Sequence, residues 1–283
     1  MTKLDPKNLL AAVEEPAVEG SAAEPARATP ANATAAEPTA KMPSSKKLST
    51  ATRSVGQSPA KGAGKKASTQ KPAAKKPRTM SEAVREYGSA ARKRTRPYFK
   101  AAGVKYPPNS LTLVGLKEEK LLVVLAPDQE GVLHKVISYP ILAASGEPGP
   151  KLAQGDFQVP EGFYKIEAFN PNSAYHLSLR VSYPNAEDLA RARKEKRTNL
   201  GGDIMIHGNA VSIGCLAIGD EPIEEVFILV NDVGRENVNV LLAPSDLTSK
   251  PSGVDFKLQP KWLPALYKRL KKSLEELPPL LDE

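Results

Sequence analysis

Hydrophobic patterning divides the chain into two parts. The first hundred residues show no apolar periodicity, whereas from about Pro107 onward short apolar runs alternate with turn residues. The segments "SLTLVGL" (110–116), "KLLVVLAP" (120–127) and "GVLHKVISYPI" (131–141) are rich in branched residues and bounded by Gly, Pro, Asp or Glu, which predicts successive β-strands. Residues 144–162 hold too many Gly and Pro for a regular element and predict a long surface loop, a length that tends to accompany function. Strands resume over 163–169 and 174–181. In the second, Tyr175, Leu177, Leu179 and Val181 share one face, and His176, Ser178 and Arg180 share the other.

Further along, 185–197 reads as a charged surface helix and "GDIMIHG" (202–208) as a buried strand ending at His207. Asp220 is placed to cap a helix with the apolar stripe Ile223, Val226, Phe227 and Val230. One more strand follows over 237–244. The closing helix carries Leu263, Leu266, Leu270, Leu274 and Leu277 on its apolar side. The sum is a mainly β protein with peripheral helices (α+β). Its expected organisation is a disordered tail over 1–100, a folded domain over 107–247 and an amphipathic helical extension over 248–283.

Composition and charge sharpen that division. The first hundred residues are mostly Ala, Pro, Ser, Thr, Lys and Glu, too little apolar surface to offset the entropy of ordering them. Residues 41–100 hold 17 Lys and Arg against 2 Glu, yet the whole chain is only +8, so the remainder is net acidic. The basic character therefore belongs to the tail, which suits polyanions such as acidic wall polymers or an anionic membrane surface, or simply a solvated linker. No aromatic side chain interleaves the cations of 41–86 to stack on bases, which argues against nucleic acid as partner. No apolar run is long enough to span a membrane, and "NLLAAV" is too short for the apolar core of a signal peptide.

The candidate chemistry lies in "IMIHGNAVSIGC" (204–215). It ends in the single cysteine of the chain, eight positions after one of three histidines. One cysteine excludes an intramolecular disulfide, and His134, His176 and His207 lack ligand-like spacing, so no metal or other cofactor is expected. Cys215 reads equally as a small buried hydrophobe or as a nucleophile, since only its thiolate attacks and a base must be near. A reactive thiol would label below its ordinary pKa of about 8.5. Gly208 and Gly214 allow close backbone approach and special angles, and with Ser212 they shape the turn. The N–H groups of Gly214 and Cys215 are candidates for an oxyanion hole.

"HGNAVSIGC" resembles the active-site signature of the L,D-transpeptidase catalytic domain (YkuD-type) family. The segments "GPKLAQGDFQVPEGFY" (149–164), "NPNSAYHLSL" (170–179), "YPN" (183–185) and "GGDIMIHGNAVSIGCLAIGD" (201–220) are similar to its YafK-like branch. The resemblance covers about half the chain, roughly 110–246. It implies a β-sandwich-like catalytic domain in which Cys215 attacks a peptide carbonyl and His207 is the general base, oriented by a backbone carbonyl whose nearest counterpart is that of Gly208. Its implied substrates are the tetrapeptide stems of peptidoglycan, its implied location the periplasm or cell envelope.

This chain departs from the main branch of that family. The His-to-Cys insert is short, Ile213 replaces a histidine, and Ala217 stands where an arginine would face a substrate carboxylate. Arg180 and His176 are the candidates to replace that cation. The departures leave the acyl acceptor open: an amine gives a transpeptidase, and water gives a hydrolase cutting stem or stem-to-protein amides. A reading of another class is a non-catalytic polyanion- or wall-binding protein that works through the basic tail.

Overall fold

The computed structural model describes residues 77–282 except Glu147 and Ile213. The expectation of disorder over 1–76 lies outside the described residues. Eight strands are present: β1 (Leu111–Leu116), β2 (Leu121–Pro127), β3 (Leu133–Pro140), β4 (Gly162–Asn170), β5 (Ser178–Val181), β6 (Met205–His207), β7 (Leu216–Ala217) and β8 (Val238–Ala243). They hydrogen-bond in the order β3-β2-β1-β8-β4-β5-β6-β7. Around them lie α1 (Met80–Ala101), α2 (Ala186–Lys194), α3 (Asp220–Val233) and α4 (Leu263–Glu275). The class is the expected one, mainly β with peripheral helices.

A core sits on each face of the sheet, and residue alternation sorts the side chains between them. Leu111 and Leu113 of β1, with Val238, Val240 and Leu242 of β8, pack in one cluster with Phe227 and Val230 of α3. Val114 and Leu116, with Leu241 and Ala243, pack in the other with Leu263, Leu266, Leu270 and Leu274 of α4. Burial on both faces explains why β1 and β8 read as near-continuous apolar runs, interrupted only by the paired and buried Thr112 and Asn239. It also makes α4 part of the folded body, not an extension added to it.

The largest correction concerns 80–101, assigned above to the tail. Thr79 and Glu82 form a capping box, with Glu82 N–H donating to Thr79 Oγ1 (3.2 Å) and Thr79 N–H to Glu82 Oε2 (2.7 Å). The helix that follows buries Ala83, Gly88, Ala91, Thr95 and Phe99. Against α3 its Arg92 forms a fork with Asp232 (2.7 and 2.6 Å), and Arg94 pairs with Glu224 (2.9 Å) and Glu225. Apart from Phe99 the stripe is made of small residues, so its mean hydropathy resembles that of a solvated segment. Close approach to the apolar α3 supplies the burial that the stripe alone does not announce.

Two smaller corrections matter for the site. Asp220 does not cap α3: Gly219 is the N-cap residue without a side-chain bond, and Asp220 Oδ1 accepts from Asn209 N–H (2.7 Å). The strand expected over 174–181 begins only at Ser178, and His176 sits before it in the left-handed region (φ +73°).

Candidate active site

His207 ends β6, and Cys215 immediately precedes β7. The two strands run parallel with Ile206 opposite Leu216 and His207 opposite Ala217. Ile206 and Leu216 are buried in the core beneath. By alternation, His207 and Cys215 therefore stand on the opposite, shared face, on neighbouring strands and two positions apart along them. The same face receives Ser178 and Arg180 of β5, which pair with His207 and Met205.

The turn between them is held by named bonds. Cys215 N–H donates to Ser212 Oγ (2.9 Å), and that hydroxyl donates to Cys215 O (2.7 Å). Gly214 has φ +84°, an angle that favours glycine, and a Cβ there would come within 3.3 Å of Gln158 O. Gly208 is required for space: a Cβ would lie 2.6 Å from Asp220 Oδ1 and 2.7 Å from Tyr175 O.

His207 Nδ1 lies 2.6 Å from Gly208 O, so the ring N–H donates to that carbonyl and Nε2 carries the acceptor lone pair. This is the orienting carbonyl the family resemblance implied. Burial lowers the His207 pKa, against a smaller opposing effect of the Gly208 bond. Burial also pushes the Cys215 thiol up, opposed by a backbone hydrogen bond from Met205. The resting groups are a neutral imidazole and a neutral thiol, not the low-pKa thiolate expected of a reactive cysteine. They suit deprotonation of the thiol during attack.

The oxyanion expectation needs revision. Gly214 N–H donates to Ser145 Oγ (2.7 Å) and Cys215 N–H to Ser212 Oγ, so both amides are already engaged. Ser145 comes from the long loop after β3 and donates in turn to Phe157 O (2.7 Å). That loop is thus stitched to the cysteine turn, and the bridge between Ala143 and Ala217 reinforces the seam. Ser145 gave no signal in the sequence, because its contact spans 69 positions.

The two candidate cations separate clearly. His176 is 2.9 Å from Glu224 on α3, and its ring meets Tyr87 of α1 edge-on at 5.1 Å. It is committed to packing between helices. Arg180 stands on the face of His207 and Cys215, 40% exposed, near Glu167 (3.1 Å) and Asp203 (3.3 Å). The backbone carbonyl of Asp203 is also the acceptor for Cys215 Sγ (3.6 Å).

Tyr175 was read only as the apolar face of a strand. Its ring instead lies over the His207 imidazole, centroids 4.8 Å apart at 33°. Removing it admits water to that face of the ring. Tyr175→Ala should therefore raise the His207 pKa back toward its ordinary value, read by NMR titration of the imidazole, while Tyr175→Phe leaves it in place.

The loop itself is anchored by Lys117, one residue past β1. Its ammonium donates to Gly149 O (2.7 Å) and Val159 O (3.2 Å) and pairs with the fully buried Glu161 (2.8 Å). Glu161 Oε2 also accepts from Tyr267 of α4 (2.7 Å).

Comparison with known proteins places part of the chain in a family context. Residues 111–240 match the family model described as YkuD, L,D-transpeptidase catalytic domain. YafK of Escherichia coli (strain K12), whose L,D-transpeptidase designation is provisional, is 39% identical over 116 residues, covering 39% of this chain and 45% of YafK. The chain thus spans about half the length of the curated relatives it matches. Among solved structures, the helical cell shape determining protein Pgp2 from Campylobacter jejuni is 24% identical, with TM-score 0.40 over 53% of this chain and 55% of that one. Bd1075 of Bdellovibrio bacteriovorus is 19% identical, with TM-score 0.36 over 51% and 52%.

Residues 111–240, just under half of the chain, are thus similar to the L,D-transpeptidase catalytic domain family. The chain is similar also to YafK.

Proposed function

We propose that the protein is a cysteine-dependent L,D-transpeptidase acting on the tetrapeptide stems of peptidoglycan in the cell envelope. The observation that carries this reading is the His207 Nδ1–H to Gly208 O bond, which leaves Nε2 as a base on the face that also bears Cys215. As Cys215 Sγ attacks the stem carbonyl, His207 Nε2 takes the thiol proton. The C–S bond forms, the C–N bond breaks, and the proton passes to the departing amine. An acceptor amine then attacks the thioester, forming a new amide and releasing the thiol.

Arg180 supplies the cation that Ala217 does not, receiving a substrate carboxylate as it turns from Glu167 and Asp203. Phe157 of the long loop and Val211 of the cysteine turn, each more than half exposed, offer apolar contacts to a stem peptide.

The test is incubation of the purified chain with diaminopimelate-containing sacculi and analysis of products by mass spectrometry. New cross-links or exchanged stem termini support the transferase. Loss of cross-links or release of amine ends without transfer replaces it with the hydrolase. Unchanged sacculi remove the enzymatic reading.

A further inference from the structure

Helix α1 carries a row of charge that the catalytic reading does not use. At 100° per residue, Arg85, Ser89, Lys93, Arg96 and Lys100 fall within one arc of about 80°. All five are exposed, on the side away from the buried stripe Ala83, Ala91, Thr95 and Phe99. Arg92 and Arg94 turn toward α3 and are neutralised by Asp232, Glu224 and Glu225. Among the described residues, none of the four outward cations has a salt bridge. The carboxylates of α3 therefore go to the inward arginines, and of the outer row only Arg85 has carboxylates near it, those of Glu82 and Glu86.

Beside this row is an open groove of about 1010 Å³. Lys93, Arg96 and Lys100 line it together with Phe99, Val104 and Tyr106. Arg96 lies over the Tyr106 ring at 5.5 Å, which holds its guanidinium at the groove. Directly upstream in sequence, residues 41–76 add ten Lys and Arg and no acidic residue, so positive charge continues from the helix along the chain.

We propose that the outer face of α1 docks on an anionic membrane surface, its cations meeting lipid phosphates and the groove receiving the apolar part of the lipid next to its phosphate. Cations beside an apolar wall match an amphiphile, whereas a wholly hydrophilic polyanion gains nothing from the exposed Pro97 and half-buried Tyr106. Clusters of this size on one helical face are what bilayer phosphates select, each cation contributing roughly fivefold to binding. Docking in this way leaves the face of the sheet that bears Cys215 as a separate surface, so the proposal stands whichever acyl acceptor the enzyme uses.

The experiment is co-sedimentation of the full chain with vesicles of phosphatidylglycerol in phosphatidylcholine and with vesicles of phosphatidylcholine alone. The comparison protein is the full chain carrying Lys93→Gln, Arg96→Gln and Lys100→Gln. Because residues 41–76 are present in both, their contribution cancels. Salt-sensitive binding to the anionic vesicles that falls by roughly 100-fold in the triple variant, with an unchanged melting temperature, is the expected result. Equal binding by the two proteins, or no binding by the native chain, overturns the proposal. So does preferential displacement from vesicles by heparin or duplex DNA, because the groove then plays no part.

Discussion

Cys215→Ala is expected to abolish turnover of stem peptides, a fall of roughly 10⁴-fold or more in kcat, because no other described side chain occupies the position of the sulfur. His207→Ala should cost nearly as much. Burial raises the Cys215 pKa, so at neutral pH the sulfur rests as a thiol and must lose its proton during attack. Without the His207 Nε2 lone pair that proton has no local acceptor. The double variant should be no slower than either single one, since two residues that act in one step are not additive. Single-turnover rates, with intact-protein mass spectrometry of the thioester on Cys215, check this. A His207→Ala enzyme that acylates at the native rate removes His207 as base.

The pH dependence follows from the same site. Because burial lowers the His207 pKa, the imidazole stays neutral below the ordinary histidine value of about 6.5. The acid limb of kcat/KM should therefore fall below that value, activity being lost only as pH drops through the lowered pKa. Alkylation of Cys215 at neutral pH should be slower than that of a free cysteine, since the thiolate fraction is smaller.

The largest effect on stability is expected from Lys117→Met. Glu161 is fully buried, and its charge is balanced by the Lys117 ammonium at 2.8 Å and the Tyr267 hydroxyl at 2.7 Å. Removing the ammonium leaves a carboxylate buried without its counter-ion, which costs about 3–5 kcal/mol. Adding Glu161→Leu should recover part of that loss, because the uncompensated charge goes with it. Urea titration of the single and double variants measures both. Activity should fall even in conditions where Lys117→Met remains folded. Lys117 pins Gly149 and Val159, and the loop they bound supplies the Ser145 hydroxyl that holds Gly214.

Much of this protein can be read from local spacing. The branched runs of β1, β2, β3, β4 and β8, the leucine row of α4 and the stripe of α3 all declare themselves within a dozen residues, because an element's period is set by its own backbone geometry. The His207, Gly208, Gly214 and Cys215 chemistry is legible for a related reason: glycine angles and thiol reactivity are properties of residue type. Helix α1 escaped because its buried stripe, Phe99 apart, is Ala, Gly and Thr, whose burial is decided by α3, more than 100 positions away. The two-residue β7 escaped because so short a strand has no period of its own.

By itself, the sequence determined which residues could do the chemistry and which faces were apolar. Only the tertiary structure decided that His207 and Cys215 share a face, through the parallel register of β6 and β7. It also brought Arg180 to that face while giving His176 to Glu224, and gave the amides of Gly214 and Cys215 to serine hydroxyls. The physical reason is common to all three. Strand register and competition for hydrogen-bond partners are settled between residues far apart in the chain, and no local period encodes them.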